Sequence, residues 1–275
     1  MDVKEELKNN NFKFKQKFGQ NFITDTNLLS AIVKDAEIKK DDCVLEIGPG
    51  AGTLTKEILA VSNGKVVAIE IDKDLESMLN KKFSSHKNFE LVMGDVLKIS
   101  PEELKEKFGG KPFKVVANLP YYISTPILFY LLENDFQVQS ITVMLQLELA
   151  KRLTAQKNTK DYGALTILLD YLGEVFLTRK VPRTLFTPQP NVDSAIVRID
   201  LTKKKFDIEY SKLAPFVKKS FAMRRKTLVN NLISGYEFSR EKVERSLNEC
   251  GFSKNCRAED LTSKDFIDLY KSLFE

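Results

Sequence analysis

Asn118, Leu119, Pro120 and Tyr121 stand where an apolar, β-branched run (Phe113, Val115, Val116) gives way to a segment with helix-start residues, Ser124-Thr125-Pro126. Such a turn lies at the carboxyl end of a strand, where open α/β sheets place their chemistry. Pro120 stiffens the turn and removes one backbone donor. What remains is the amide oxygen of Asn118, the backbone carbonyl of Leu119 and the aromatic face of Tyr121. Two acceptors beside a flat π surface suit a planar heterocycle that carries an exocyclic amino group. Asn and Pro are also ordinary turn residues, so these four gain weight from what lies upstream.

Upstream, Glu46-Ile47-Gly48-Pro49-Gly50-Ala51-Gly52 closes one apolar run and opens a helical one. Glycines there let the backbone turn sharply and approach a ligand closely. Glu70 ends the next apolar run, in Ala68-Ile69-Glu70-Ile71-Asp72. An acidic residue about 20 positions past such glycines can accept both hydroxyls of a ribose. A further run closes on Gly94-Asp95-Val96, which places the Asp95 carboxylate to accept from an adenine amino group. A nicotinamide enzyme calls for G-x-G-x-x-G, whereas Thr53 and Leu54 here follow a G-x-G-x-G run. Glycine loop, Glu70 and Asp95 together describe an S-adenosylmethionine site better than a nicotinamide site. A structural turn, a solvated strand end and a helix cap would explain them singly, but not their coincidence at consecutive strand ends.

These residues need elements that bring strand ends together. Cys43–Ile47, Lys65–Ile71, Phe89–Met93, Phe113–Ala117 and Ile141–Leu145 read as buried strands, with helical segments near 52–61, 73–82, 101–108 and 124–133 between them. That alternation predicts a parallel, doubly wound α/β sheet with right-handed crossovers. Thr24-Asp25 offers an N-cap for a helix reaching about Ala36. Helical segments at 147–156 and 161–172 follow, then strands Glu174–Val181 and Ser194–Leu201 around the loop Phe186–Asn191. Beyond Leu201 the spacing turns helical and charged, so the domain boundary is expected at 202. Residues 1–202 form the catalytic domain, led by a basic arm at 1–20, and 203–275 a small helical domain.

The chain of 275 residues is 43% hydrophobic, enough to bury a core, and holds no apolar run of membrane-spanning length. Its charged N-terminus does not read as a signal peptide. Three cysteines (Cys43, Cys250, Cys256) have no metal-type spacing and do not suggest a disulfide framework. The expectation is a reduced, cytoplasmic protein without metal, and a monomer. Net charge is +5, unevenly placed. From Phe176 to Glu275 there are 20 Lys and Arg against 13 Asp and Glu, leaving 23 against 25 in the rest. All excess positive charge therefore sits in the last hundred residues, which suggests a polyanionic partner. His86, the sole histidine, lies in a polar loop and reads as solvated.

Gly48-Pro49-Gly50-Ala51-Gly52, Glu70, Gly94-Asp95 and Asn118-Leu119-Pro120-Tyr121 resemble the class I methyltransferases, and more narrowly the rRNA adenine N6-dimethyltransferases. The leading Gly19-Gln20-Asn21-Phe22, the stretch Phe186–Ala195 and Phe221-Ala222-Met223-Arg224-Arg225-Lys226 resemble the small-subunit branch, the KsgA type. The resemblance spans residues 12 to 235. It implies a seven-stranded, mostly parallel Rossmann-like sheet and S-adenosylmethionine as methyl donor. By analogy Asn21 and the backbone at Ile23 cover the cofactor, with Gly48, Gly50, Gly52, Val96 and Asn118 around it. Glu70 then holds the ribose and Asp95 the adenine.

The implied substrate is N6 of two adjacent adenosines in the 3′-terminal hairpin loop of 16S rRNA, within an assembling 30S particle. Tyr121 is expected to stack on the target base, with Phe186 a candidate for its other face. Lys203, Lys204, Lys205, Lys218, Lys219, Arg224, Arg225 and Lys226 are the expected phosphate contacts. Alternatives are a macrolide-resistance methyltransferase of large-subunit rRNA, which usually carries Ile at the position of Leu119, and a ribosome-assembly factor whose value lies in occupancy. Tyr122 stands where many relatives have a smaller polar residue, often Asn, so two aromatics compete for the stacking role.

Overall fold

Val44, Leu45, Val66, Val67, Val115 and Val116 have no solvent exposure, as expected of strands covered on both faces by helices. In the computed structural model the described residues are 21–23, 25–134, 136–201 and 208–275. The strands are β1 (Phe22–Ile23), β2 (Cys43–Ile47), β3 (Val66–Glu70), β4 (Phe89–Met93), β5 (Phe113–Asn118), β6 (Val138–Gln146), β7 (Glu174–Val181), β8 (Phe186–Thr187) and β9 (Ser194–Asp200). Seven of them form one sheet in the order β4-β3-β2-β5-β6-β9-β7. From β4 through β6 all neighbours are parallel, and β9 returns antiparallel to β6. This is the doubly wound sheet that the sequence predicts.

The helices that connect these strands are α1 (Thr26–Asp35), α2 (Thr53–Val61), α3 (Glu76–Phe83), α4 (Pro101–Lys107) and α5 (Ser124–Glu133). Asp25 caps α1 by accepting from the Leu28 backbone at 2.7 Å. Ser100 and Glu103 close a reciprocal capping box on α4. Because β2, β3, β4 and β5 run parallel, their carboxyl ends meet at one edge. The ladder continues past those ends: Gly48 donates to Ile69 at 2.9 Å, Gly94 to Glu70 at 2.8 Å, and Leu119 to Met144 at 3.1 Å. The candidate loops thus start from a fixed backbone.

A two-stranded antiparallel sheet, β1 with β8, pairs Ile23 with Phe186 and Phe22 with Thr187. No period exists in a two-residue strand, and the sequence reading placed Phe186 in a loop. Phe22, Ile23 and Phe186 share a buried cluster with Ala51, Leu54, Leu79 and Phe83.

The described residues fall into two compact units. One runs to Ala150 and includes Phe176–Leu201; the other combines Lys151–Val175 with the chain beyond Thr202. A single cut at 202 therefore misses Lys151–Val175, whose helix α7 (Ala164–Leu172) packs with the C-terminal helices. α6 (Leu147–Leu153) precedes it. The second unit is completed by α8 (Tyr210–Ser220), α9 (Leu228–Gly235), α10 (Arg240–Glu249) and α11 (Ser263–Phe274). Phe216 is buried at its centre, ringed by Tyr236, Phe266, Tyr270 and Phe274 at centroid distances of 5.5–6.2 Å.

The entry to β3 is held by polar contacts rather than apolar ones. Ser62 donates to the Asp42 carbonyl at 2.7 Å and accepts from Gly64, while Asn88 donates to the carbonyls of Ser62 and Gly64. A Cβ at Gly64 would lie 2.2 Å from that Asp42 oxygen. Gly64→Ala is expected to cost about 1–3 kcal/mol, the usual penalty of forced overpacking. Thermal melting tests this, and an unchanged midpoint would show that the Asp42 backbone yields without cost.

Candidate active site

The strand-end edge of the first unit holds a cleft of about 1030 Å³ with its open mouth included. Its wall includes Asn21, Ile23, Gly48, Gly50, Glu70, Asp95, Val96, Asn118, Leu119, Pro120 and Tyr121. One strand edge thus brings together the expected cofactor residues, Gly52 excepted, and the turn Asn118–Tyr121.

Two glycines serve the cleft for different reasons. Gly48 has φ +70°, and a Cβ there would meet nothing within 4 Å, so its backbone faces open space. Gly50 has φ +56°, and a Cβ there would strike the Phe22 ring at 2.6 Å. Gly50 is therefore what lets Phe22 close over the loop. Gly52 is different from both: it is the N-cap of α2, does not line the cleft, and packs against Phe83. The expectation that Gly52 contacts the cofactor is corrected to a packing role.

Glu70 is 5% exposed and binds the glycine loop across the strand edge. Its Oε2 accepts from Gly50 at 3.1 Å and its Oε1 from Asp72 at 2.8 Å. Burial raises its pKa, with the backbone donors of Asp72, Gly50 and Ile71 opposing the shift. Each oxygen keeps acceptor capacity for a further donor. Asp95 caps the 3-10 turn Val96–Lys98 by accepting from Leu97 at 3.1 Å, using one of its two oxygens.

Asn118 is oriented by its partner. Its Nδ2 donates to the Asn21 backbone carbonyl at 3.0 Å, and a carbonyl there requires the amide's NH2 end. The amide oxygen is thereby left as an acceptor. Leu119 is buried and fixed through its backbone N–H to Met144. The Tyr121 hydroxyl lies 2.6 Å from Oγ of buried Ser194, which sets the height of the Tyr121 ring. Tyr122 also lines the cleft but is 59% exposed and has no comparable anchor among the described residues. Phe186, in contrast, is 4% exposed and part of the buried cluster around β1. Its ring is covered on the inside of the fold, so the stacking expectation for Phe186 is corrected to core packing.

Two residues of the site escaped sequence reading. Ser194 follows a turn-rich loop and carries no pattern of its own. Glu46 carried a signal: a carboxylate between Leu45 and Ile47 in an otherwise apolar strand. It is 1% exposed, lines the cleft, and its Oε2 has no hydrogen-bond partner among the described residues. Burial pushes its carboxyl up to about 8. Thr55 opposes the shift without its hydroxyl reaching hydrogen-bond geometry, and the charge of Glu70 adds to it.

The cations of the second unit divide. Lys203, Lys204 and Lys205 lie outside the described residues. Lys218 is exposed and engaged. Lys219 donates to the Gly235 carbonyl at 2.7 Å and sits 3.9 Å above the Tyr236 ring, so part of its charge serves the fold. Arg224 is held by Glu259 and by loop carbonyls. Arg225 and Lys226 are exposed. Among the described residues no group of His, Cys, Asp and Glu is arranged to hold a metal ion.

The chain is similar to known proteins over nearly its whole length. The family described as "Ribosomal RNA adenine dimethylase" matches residues 11–275. The chain is 43% identical over 266 residues to ribosomal RNA small subunit methyltransferase A of Alkaliphilus metalliredigens, covering 95% of this chain and 92% of that protein. It is 45% identical over 270 residues to the protein of the same name from Bacillus mycoides, again covering 95% and 92%. Among solved structures, a dimethyladenosine transferase from Plasmodium falciparum superposes with a TM-score of 0.77 at 27% identity, covering 90% of this chain and 95% of that one. The 23S rRNA methyltransferase ErmE superposes with a TM-score of 0.71 at 30% identity, covering 93% and 100%.

Glu46 generates a pH prediction with a definite sign. Its folded carboxyl titrates near 8 and its ordinary value is 4.5. Between those values the folded chain keeps a proton that the unfolded chain loses, so the contribution of Glu46 to stability is fully present below 4.5 and is lost as pH rises towards 8. The loss is on the order of a few kcal/mol. Glu46→Gln is expected to flatten the fall in melting temperature across that window, and equal slopes would mean that Glu46 is ionised in the folded chain throughout it.

Proposed function

Since the chain belongs to the ribosomal RNA adenine dimethylase family, we propose that the turn Asn118–Tyr121 presents an adenine N6 to a methyl donor held by the glycine loop, Glu70 and Asp95. The enzyme is an S-adenosylmethionine-dependent adenine dimethyltransferase of small-subunit rRNA. The identity to small-subunit enzymes, 43–45%, stands well above the 30% to ErmE, which favours this branch over the large-subunit one.

The cleft fits the cofactor. Gly48 leaves its backbone open to a ligand, and Glu70 keeps acceptor capacity where ribose hydroxyls would donate. The Glu70 carboxylate favours a cationic ligand over a neutral one, and a positive charge nearby would draw the buried Glu46 carboxyl towards ionisation. S-adenosylmethionine supplies an electrophilic methyl on a sulfonium.

The observation that carries the reading is the Asn118 amide, turned by the Asn21 carbonyl so that its oxygen is an acceptor. An exocyclic adenine amine is a poor nucleophile because its lone pair is delocalised into the ring. Accepting its hydrogens at Asn118 Oδ1 and the Leu119 carbonyl favours a pyramidal nitrogen with a localised pair. S-adenosylmethionine, held by the glycine loop, Glu70 and Asp95, would supply the methyl group to that pair and keep the bonding electrons on its sulfur, and the alkylated nitrogen would release its proton to water. No general base is required, since the amine becomes strongly acidic once methylated. Positioning and electrostatics supply the acceleration. Tyr121, held by Ser194, stacks on the extruded base and offsets part of its lost stacking.

The substrate position is two adjacent adenosines of the 3′-terminal hairpin, each receiving two methyls within an assembling small subunit. The chain acts as a monomer in the cytoplasm; among the described residues no helix is long and apolar enough to cross a membrane. The exposed cations of the second unit meet RNA phosphates.

Tritiated S-adenosylmethionine and small subunits from a strain lacking the modification test this reading, with primer-extension stops mapping the product. Transfer to adjacent 3′-end adenosines is expected; transfer only to naked large-subunit rRNA would overturn it. Asn118→Ala is expected to lose about 10²- to 10³-fold in turnover, the range for removing one preorganised polar contact. Tyr121→Phe should keep most activity and Tyr121→Ala should lose most of it. Equal activity in both would remove the stacking role.

A further inference from the structure

Arg224, Arg225 and Lys226 are consecutive in sequence, yet the fold uses the first differently from the other two. Nη2 of Arg224 donates to the Lys160 carbonyl and reaches the Thr159 carbonyl at 3.5 Å. Its Nε reaches Glu259 at 3.5 Å. Glu259 also holds the same neighbouring loop through its backbone, accepting from the Asn158 N–H at 3.1 Å. Tyr162 anchors the end of that loop by donating to the Leu261 carbonyl at 2.8 Å. A guanidinium with its fork turned onto carbonyls and a carboxylate has little left to offer a phosphate.

The loop that carries Arg225 and Lys226 is fixed from its other side. Asn231, 2% exposed, accepts from the Met223 N–H at 2.8 Å and donates to the Met223 carbonyl at 3.2 Å. Leu228 closes the loop by donating to the Cys256 carbonyl at 2.8 Å. Two loops distant in sequence, 157–160 and 223–226, thus have determined backbones and a shared joint at Arg224 and Glu259.

Their free cations are Lys157, Lys160, Arg225 and Lys226. All are exposed, and none of these side chains has an ion-pair or hydrogen-bond partner among the described residues. Nearby acids are largely committed: Glu259 to Arg224 and Arg257, and Asp260 to the Arg257 backbone, which leaves Asp161. Holding like charges together costs self-repulsion that a polyanion relieves.

We infer that Arg224 and Glu259 are positioning residues that clamp the two loops into one phosphate-binding face, in which Lys157 and Lys160 stand beside Arg225 and Lys226. This rests on the RNA reading of the second unit and adds to it a lysine pair that lies outside the basic tail. The partner is an RNA backbone, since the face gathers like charges that phosphates neutralise.

The test measures binding of the full chain to unmodified small ribosomal subunits across a salt titration. Arg225→Ala, Lys226→Ala and the double change Lys157→Ala with Lys160→Ala should each weaken binding and lower the salt slope by about 0.7–0.9 per lost phosphate contact. Glu259→Gln removes a negative charge beside the face, so simple charge counting expects tighter binding; the clamp expects binding weaker by roughly three- to tenfold. Arg224→Lys keeps the charge but loses the fork, and should weaken binding with the salt slope unchanged. Both clamp variants should be cut faster by trypsin after Lys157 and Lys160.

Tighter binding by Glu259→Gln, or parental trypsin resistance at the loop, would overturn the clamp while leaving the RNA reading intact. Parental binding by the Arg225, Lys226 and lysine-pair variants would instead remove the RNA reading of this unit. If Arg224→Lys fails to fold, Glu259→Gln decides alone.

Discussion

The hydrogen bond from Asn118 to the Asn21 carbonyl is the joint on which the cleft depends. It spans nearly a hundred residues of chain and connects the turn after β5 to the segment that enters β1. At one end it orients an amide; at the other it holds a short strand over the glycine loop. Phe22, next in the chain, lies against Gly50, and Glu70 accepts from the Gly50 N–H. The glycine loop, Glu70, the short strand at Phe22 and the turn Asn118–Tyr121 are therefore mechanically one object.

How much of this was legible depends on the length scale over which each pattern repeats. The central strands were readable because burial on both faces leaves continuous apolar runs, and Val44–Leu45, Val66–Val67 and Val115–Val116 show it directly. That Gly48, Glu70, Asp95 and Asn118 share one edge was readable because parallel strands bring consecutive strand ends together. The β1–β8 pair was not, since Phe22–Ile23 and Phe186–Thr187 are too short to alternate. The same pairing explains why Phe186 reads as an available aromatic and behaves as core. Gly52 misleads for a related reason: its spacing fits a ligand loop, but only the structure reveals the Phe83 ring where a side chain would go. Lys151–Val175 joins the C-terminal helices through long-range packing that no local composition announces.

Glu46 bears on what the cleft is for. A fully buried carboxyl with an unpartnered oxygen is costly, and Glu70 beside it makes ionisation costlier still. A fold built only for stability would place an apolar side chain between Leu45 and Ile47. The pair is reasonable in a cleft that receives a cation, because a positive ligand offsets the electrostatic penalty that burial imposes. The lining that looks least favourable without ligand is then the lining most selective for a positively charged one.

A count of positive charge directs attention to the end of the chain but does not identify which cations are available. Lys219 spends its ammonium on a helix-end carbonyl and an aromatic ring, and Arg224 spends its guanidinium on Glu259 and neighbouring carbonyls. Both are ordinary members of basic runs when read as sequence. Lys157 and Lys160 show the reverse: they belong to a segment without net basic excess, yet the fold ties their loop to Arg224. The distinction is geometric, because a charge already satisfied inside a fold contributes little to a phosphate outside it. In this chain the cations that shape the basic face and the cations that would use it are different residues.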